Sequence, residues 1–474
     1  MTITDLLAAV PGSVLLRGQG DREVGAVRDS DAEVAGGDLF VAVRGARVDM
    51  HDRLMGLAHA GALVVDRECQ LPGGPAVIRV DDTRRALPHL CARALGNPGA
   101  QLPVVAVTGT NGKTSTTFLV AAMARAAGLR AGIIGTTGHF VDDERLESTH
   151  TTPTAPVTQA LLARMRSAGV GLVAMEASSI GLAAYRCDAI PFRAAGFTNL
   201  TRDHLDVHGT MAAYAAAKGR LFHELLQGTA VLNARDPVSR QMVPEGHTTW
   251  WFHGDDLSAS AVQLTATGTR ALFHTPHGDF DGGMKLVGAH NIDNALAALG
   301  LALAAGIPLD ACARGLAELP AVPGRLEAVP NARGLAVLVD YAHTDDALAR
   351  VLATLRQVTE GRIITVFGCG GDRDRGKRPL MGRAAALGSD VVVVTTDNPR
   401  GEDPAAIVAD ILPGLGTAPH RVVLDRREAI AVAVGLGQPG DVVLIAGKGH
   451  EPYQEIMGER LPFDDRAVAR EVLS

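Results

Sequence analysis

Residues 104–115, VVAVTGTNGKTS, decide how this chain folds. The apolar run 104–107 reads as a buried strand. Gly109 and Gly112 follow at once, and the stretch 113–127 carries a helical pattern. Strand, glycine turn and helix in that order make a cradle for phosphate. Glycine lets phosphate oxygens come close to backbone N–H groups, and a helix start adds partial positive charge. Lys113 is then placed for the terminal phosphates of a nucleotide, and the Thr114 hydroxyl for magnesium. The full pattern G-x-x-x-x-G-K-[ST] asks for glycine where Val107 stands, so this is a shortened variant. Such a loop serves a kinase, a hydrolase, a ligase or a motor equally well.

Further strands at 132–134 and 171–175, alternating with helix, predict a parallel sheet around the loop. The stretch 248–280 changes to short alternating runs, an antiparallel edge or small barrel. Helices are expected at 291–305 and 309–318. Upstream, residues 1–97 show short apolar runs at 38–43 and 62–65 with a helix at 53–60, a small α/β unit closed by a linker at Asn97-Pro98-Gly99. Downstream, residues 321–324 read as a hinge. Strands at 336–339, 363–367, 391–395 and 442–445, with a helix at 346–357, predict a second doubly wound α/β domain.

At 474 residues the chain is too long for one core and calls for two to four domains, at roughly 100–200 residues each. Lys and Arg number 45 against 52 Asp and Glu, a net charge of −7 that disfavours a general nucleic-acid binder. Cys69, Cys91, Cys187, Cys312 and Cys369 are scattered, so neither zinc nor a disulfide framework is expected. The start, MTITDLLAAV, lacks a basic segment and a long apolar core, which argues against a signal peptide. The apolar stretch 295–309 is broken by Gly300, Gly306 and Pro308 and is too short to cross a bilayer. A soluble cytoplasmic protein without membrane or nucleic-acid partners is expected.

Glu176 ends a predicted strand, where open α/β sheets place ligands, and could hold a divalent cation. Asp203 and His204 follow another strand end and suggest a metal or nucleotide site. Lys218, in YAAAK, reads from composition as a lysine on a helix surface.

Nine segments share a pattern: TGTNGKTS (108–115), MEASS (175–179), FTNLTRDHLD (197–206), YAAAK (214–218), VPGRLE (322–327), DYAHTDDAL (340–348), VFGCGGDRDRGKRPLMG (366–382), TDNPRGEDP (396–404) and AGKGHEPYQ (446–454). Together, over nearly the whole chain, they resemble the ATP-dependent Mur ligases. The resemblance implies an α/β fold of three domains. Residues 1–97 would bind the UDP end of the acceptor, 98–321 would form the ATPase, and 322–474 would be Rossmann-like and take the incoming amino acid. The implied reaction joins an amino acid to UDP-MurNAc-L-Ala-D-Glu with ATP and magnesium, through an acyl phosphate, in a monomer.

Residue by residue, the resemblance places ATP on Gly109, Thr110, Asn111, Gly112, Lys113, Thr114 and Ser115, and on Asn291, Asn294, Arg325, Asp340, Tyr341 and His343. Asn291 and Asn294 could equally cap a helix start. Thr114 and Glu176 would hold one magnesium. A second is expected near His204 with Lys218, which in the family is carbamylated by CO2. Lys377 would reach the reacting phosphate. Ser30, Thr151, Thr152, Ser178 and Arg186 would bind the UDP-linked acceptor. Arg373, Asp397, Asn398, Pro399, Arg400, Gly447 and Glu451 would bind the amino acid. An arginine fork takes a carboxylate bidentately, so Arg400 favours meso-diaminopimelate, whose distal centre carries one, over L-lysine or L-ornithine. The chain departs from the family pattern at Asp31, Met50, Ile180, Ala184 and Asp345, mostly on the UDP side. A different ligase of the superfamily, or a nucleotide-binding scaffold or regulator, are the alternative readings.

Overall fold

The computed structural model describes residues 1–474 apart from 46, 47, 149, 266 and 267. It divides into two compact units. One comprises Met1–Ser258, Thr275–Gly278 and Asn294–Gly315, and the other comprises Ala259–His274, Asp279–Asp293 and Leu316–Ser474.

The first unit holds two sheets. The smaller has five strands in the order Val14–Arg17, Ala76–Arg79, Ala62–Val65, Leu39–Val41 and Val27–Arg28, parallel except for the first pair. Asp82 caps the helix Thr83–Ala94 by accepting the Arg84 and Arg85 N–H groups, and Leu87 and Leu90 bury its inner face. The larger sheet has eight strands, with Val104–Thr108 between Phe192–Phe197 and Leu172–Glu176. Six of them, from Thr249–Phe252 to Ala131–Gly135, run parallel, and the hairpin Gly138–Val141 and Glu144–Leu146 closes one edge antiparallel. The strands Val104–Thr108 and Leu172–Glu176 are buried at every residue, as a sheet covered by helices on both faces requires.

After Val104–Thr108 the chain fills one side of that strand, then crosses to the other side with Phe192–Phe197. That reversal opens a crevice at the carboxyl ends of the strands, the usual ligand position in such sheets. The phosphate loop sits there.

The second unit is built on a six-stranded sheet in the order Glu327–Val329, Ala336–Asp340, Val442–Ala446, Ile363–Phe367, Val391–Val394 and His420–Val422, parallel beyond the first pair. Leu348, Leu352, Met381 and Ile411 pack one side of it, and Ile430, Val434 and Val468 the other. It is the expected doubly wound domain.

Three expectations change. The helix expected at 53–60 is a 3-10 helix at Met50–Gly56, capped by Asp49. The expected linker at 97–99 is ordered: Asn97 takes a left-handed φ of 53°, and Pro98 starts the short helix Pro98–Gln101 with its ring pre-set for the first turn. The stretch 248–280 splits. Thr249–Phe252 joins the large sheet, while Ser258–Thr265, Gly268–Thr275 and Gly278–Met284 form a three-stranded sheet in chain order.

Candidate active site

The phosphate loop is held from outside by the segment after Phe192–Phe197. Asn199 clamps Asn111 with its side chain: Oδ1 accepts the Asn111 N–H at 3.0 Å and Nδ2 donates to its carbonyl at 3.3 Å. The Thr198 hydroxyl donates to the same carbonyl at 2.6 Å. Thr110 donates its backbone N–H to Asn199 O at 2.8 Å, and its hydroxyl lies 3.2 Å from the Tyr214 hydroxyl. Gly109 has φ 143°, and a Cβ there would collide with Thr198 Oγ1. Gly112 has φ 89°, and a Cβ there would strike Asn294 Oδ1. Both glycines are therefore required by conformation and by space. Asn294 lies against the loop at Gly112, whereas Asn291 donates from Nδ2 to Val287 O at 2.8 Å. Thr114 and Ser115 begin the helix Lys113–Ala126 and are buried.

Lys218 is not on a surface. It is 1% exposed, although its helix, Met211–Arg220, is rich in alanine. Small neighbours let the helix pack closely, so the lysine is driven under the phosphate loop. Its Nζ donates to Gly109 O at 2.8 Å, and Lys113 Nζ donates to the same carbonyl at 2.9 Å. Burial, aided by the charge of Lys113 and opposed by Asp203, holds the Lys218 pKa well below that of an ordinary lysine. The Tyr214 ring lies 4.5 Å from Lys218 Nζ, and the His204 ring is 6.2 Å from that of Tyr214. His204 itself is left-handed at φ 51°, half exposed, and 3.4 Å from the Asp203 carboxylate.

Glu176 ends its strand in register with Val107. It is 1% exposed and accepts the Thr136 N–H at 2.9 Å and the Thr136 hydroxyl at 3.1 Å. The Thr136 hydroxyl is 3.0 Å from that of Thr151. Thr152 donates its hydroxyl to Glu176 O at 2.9 Å and accepts the Ser178 N–H at 2.9 Å, while Arg186 donates to Thr152 O at 2.9 Å. Thr151, Thr152, Ser178 and Arg186 thus form one hydrogen-bonded set with Glu176. Ser30 is neighboured by Asp29, whose carboxyl is raised by burial and pulled back by the charge of Arg186. Ile180 and Ala184 lie within and just after the short helix Ser179–Ala183.

In the second unit Asp340 is buried, accepting the Leu326 and Ala342 N–H groups at 2.8 Å each. Burial raises its carboxyl, and Arg325 opposes the rise. The Tyr341 ring lies between His343, at 4.6 Å, and His450, at 5.1 Å, with the Arg325 guanidinium 5.6 Å away. Lys377 donates to His343 O at 2.9 Å. These residues make a basic and aromatic surface suited to a nucleotide.

The amino-acid residues gather around residues 397–400. Asn398 donates from Nδ2 to Glu451 Oε2 at 3.0 Å, and its Oδ1 accepts Lys448 Nζ at 2.9 Å and the Glu455 N–H at 3.0 Å. Arg400, at φ 49°, donates to Gly371 O at 2.9 Å and lies 3.5 Å from the Glu455 carboxylate. A Cβ at Gly371 would collide with the Pro399 carbonyl, and one at Gly447 would meet the Asp397 carboxylate. Arg373 is exposed on the neighbouring loop. Arg378 is fully buried and pairs with Glu402 and Asp410 at 2.8 Å each. Its hydrogen bonds hold the Glu402 carboxyl at about 2, and Glu402 also accepts the Asp372 N–H, which ties the loop 370–378 to the segment after Arg400.

Sequence reasoning missed Thr198, Asn199, Tyr214, Lys448 and the pair Arg378–Glu402. The first three lie in or beside quoted motifs, but their partners are far away in the chain. Among the described residues no group of three His, Cys, Asp or Glu side chains is gathered as a metal cage. Magnesium does not ask for one, since it keeps waters and takes one or two carboxylates with phosphate oxygens.

Residues 107–302 match the Mur ligase middle domain, and residues 324–449 match the Mur ligase, glutamate ligase domain. A protein of Geobacillus thermodenitrificans named UDP-N-acetylmuramoyl-L-alanyl-D-glutamate–2,6-diaminopimelate ligase is 42% identical, over 99% of this chain and 99% of its own. One of the same name from Syntrophomonas wolfei is 42% identical over 96% of this chain and 95% of its own. A solved structure of a ligase of that name superposes with a TM-score of 0.74 at 33% identity, covering 100% of this chain and 98% of that one. This chain belongs to the Mur ligase family.

Proposed function

We propose that the chain joins meso-diaminopimelate to the D-Glu carboxyl of UDP-MurNAc-L-Ala-D-Glu, with ATP cleaved to ADP and phosphate. The observation that carries this reading is similarity along the whole chain to ligases of that name, with Arg400 following Asn398, which donates to Glu451. Mur ligases are ATP-dependent and use magnesium.

A carboxylate is a poor electrophile. Its oxygen attacks the γ-phosphorus, ADP leaves, and the resulting acyl phosphate accepts the amine with loss of phosphate. Two anions meet in the first step, so cations must be in place beforehand. Lys113 carries one to the phosphate loop, which Asn199 holds in shape through the Thr110 and Asn111 N–H groups. The residues fit magnesium by the chemistry of their donors: Thr114 and Glu176 present hard oxygens beside the loop. Magnesium supplies charge that neutralises the transferring phosphoryl group. The set Thr151, Thr152, Ser178 and Arg186 would position the acceptor against Glu176, with Ser30 on the uridine side. Asn294 and Asn291 would face the nucleotide. Arg325, Asp340, Tyr341, His343 and Lys377 offer cations and an aromatic ring for ATP.

Lys218 as an ammonium cannot ligate a metal. Its depressed pKa keeps the nitrogen lone pair available, so the amine can bond to the carbon of CO2 and release a proton; the carbamate oxygens together with His204 would hold a second magnesium. Intact-mass measurement on active enzyme should find the added 44 Da (one CO2 added). A bare amine in fully active enzyme would end the carbamate claim.

Residues 1–97, 98–321 and 322–474 are assigned to the acceptor, ATP and amino acid in turn. We place the enzyme in the cytoplasm as a monomer; its five cysteines are free, and no helix among the described residues is long and apolar enough to cross a membrane. The test is phosphate release with UDP-MurNAc-L-Ala-D-Glu and diaminopimelate, lysine or ornithine. Diaminopimelate should be used by far the best, and equal use of lysine would overturn the specificity.

A further inference from the structure

Lys448 lies in a quoted motif, yet nothing above gives it a task. It is 0% exposed. Its Nζ is 2.9 Å from Asn398 Oδ1, 3.5 Å from Asp397 Oδ1 and 3.5 Å from Glu451 Oε2. Those three residues are among the ones proposed to bind the incoming amino acid, and the two carboxylates among them suit an ammonium. The Tyr453 ring lies 5.6 Å away and covers the nitrogen on another side. Next to the group, Arg426 pairs with Asp465 at 2.8 Å and donates to the Thr396 and Ala446 carbonyls, and the charges of Asp397 and Glu451 act on it only after that of Asp465.

Two consequences follow from this geometry. The first concerns the Asn398 amide. Its oxygen faces two donors, Lys448 and the Glu455 N–H, so its NH2 must face Glu451. Lys448 thereby sets which way Asn398 points and, through it, where the Glu451 carboxylate stands. The second concerns charge. Asp397 Oδ1 is buried and has no hydrogen-bond partner among the described residues, and the nearest cation is Lys448. Two carboxylates that each lie 3.5 Å from the same ammonium repel one another, and the cation between them holds both in place.

We infer that Lys448 is a positioning residue for the incoming diamino acid. It orients Asn398 and Glu451, and it lets Asp397 and Glu451 face the substrate as one net negative charge. The inference rests on the proposed diaminopimelate site. It does not need Lys448 to touch the substrate.

Removing the amine should harm one substrate selectively. In Lys448→Met the stem is kept and the charge is lost. The Asn398 amide and the Glu451 carboxylate then lose the donor that aims them. We expect the KM for diaminopimelate to rise at least ~10-fold, the loss of a charge-assisted hydrogen bond, while the KM values for ATP and for UDP-MurNAc-L-Ala-D-Glu stay within about twofold. The conservative variant Lys448→Arg keeps a cation opposite Asp397 and Glu451, so its KM for diaminopimelate should stay within about threefold of the parent. An unchanged KM for diaminopimelate in Lys448→Met, an equal rise in all three KM values, or an equal rise in Lys448→Arg overturns the inference. If Lys448→Met does not fold, Lys448→Gln decides on the same thresholds. A parent enzyme that does not use diaminopimelate would instead overturn the proposed function, which separates the two failures.

Discussion

Lys218 and Lys448 are both buried lysines, one in each compact unit, and their surroundings are opposite. Lys218 meets a carbonyl, a tyrosine face and a second lysine. Lys448 meets two carboxylates and an amide oxygen. Burial alone penalises an ammonium, and only the partners decide whether that penalty is answered. Where it is not, the amine gives up its proton readily and becomes a nucleophile for a small electrophile such as CO2. Where it is, the lysine becomes a strut that fixes the groups around it.

Arginine substitution should separate the two most widely, because a guanidinium cannot give up its proton. Lys218→Arg should lower turnover by at least ~100-fold, the scale of losing one oriented charge stabiliser, while Lys448→Arg, which keeps a cation opposite Asp397 and Glu451, should stay within about tenfold. Equal losses in the phosphate-release assay would break the contrast. Next in size, Arg400→Ala should raise the KM for diaminopimelate about 30-fold and leave that for ATP within about twofold, as expected for losing a fork to a carboxylate. On the other side, Asn199→Ala removes both side-chain clamps on Asn111 and should raise the KM for ATP about tenfold, with diaminopimelate unaffected. Initial-rate kinetics with each substrate varied would check both.

The smallest effect tests the same rule on a base with no proposed role. His139, 3% exposed with no partner for Nδ1 among the described residues, is pushed down to about 4 by burial. The unfolded chain takes that proton near pH 6.5, the folded one only near pH 4, so the contribution to stability is full above about 6.5 and is lost as pH falls toward 4. Melting temperature should drop a few degrees across that window, and His139→Phe should flatten the drop. A parent curve as flat as that of the variant would show that burial without a partner does not act as argued.

The phosphate loop was readable because its chemistry is local: a strand, two glycines, a lysine and a helix start within a dozen residues. The strands IITVF, VVVV and VVLIA were readable because buried parallel strands are continuous apolar runs. Lys218 was misread because its burial comes from Gly109, 109 positions away in sequence, and an alanine-rich helix looks the same whether it faces water or a loop. The clamp of Asn199 on Asn111 spans 88 positions and leaves no local mark. The linker expected at 97–99 failed for a related reason: Asn-Pro-Gly punctuates a chain whether it leads to a flexible joint or into a short packed helix.

One feature of the second sheet bears on how the enzyme comes into being. Val442–Ala446 lies between Ala336–Asp340 and Ile363–Phe367, strands made some hundred residues earlier. Until Val442–Ala446 has left the ribosome those two strands border an open slot with unpaired edges, a state prone to sticking to other chains. The loop carrying Gly447, Lys448 and Glu451 follows that last inserted strand directly, so ribosomes that stop short of it release a chain in which neither the sheet nor the seat for the diamino acid can form.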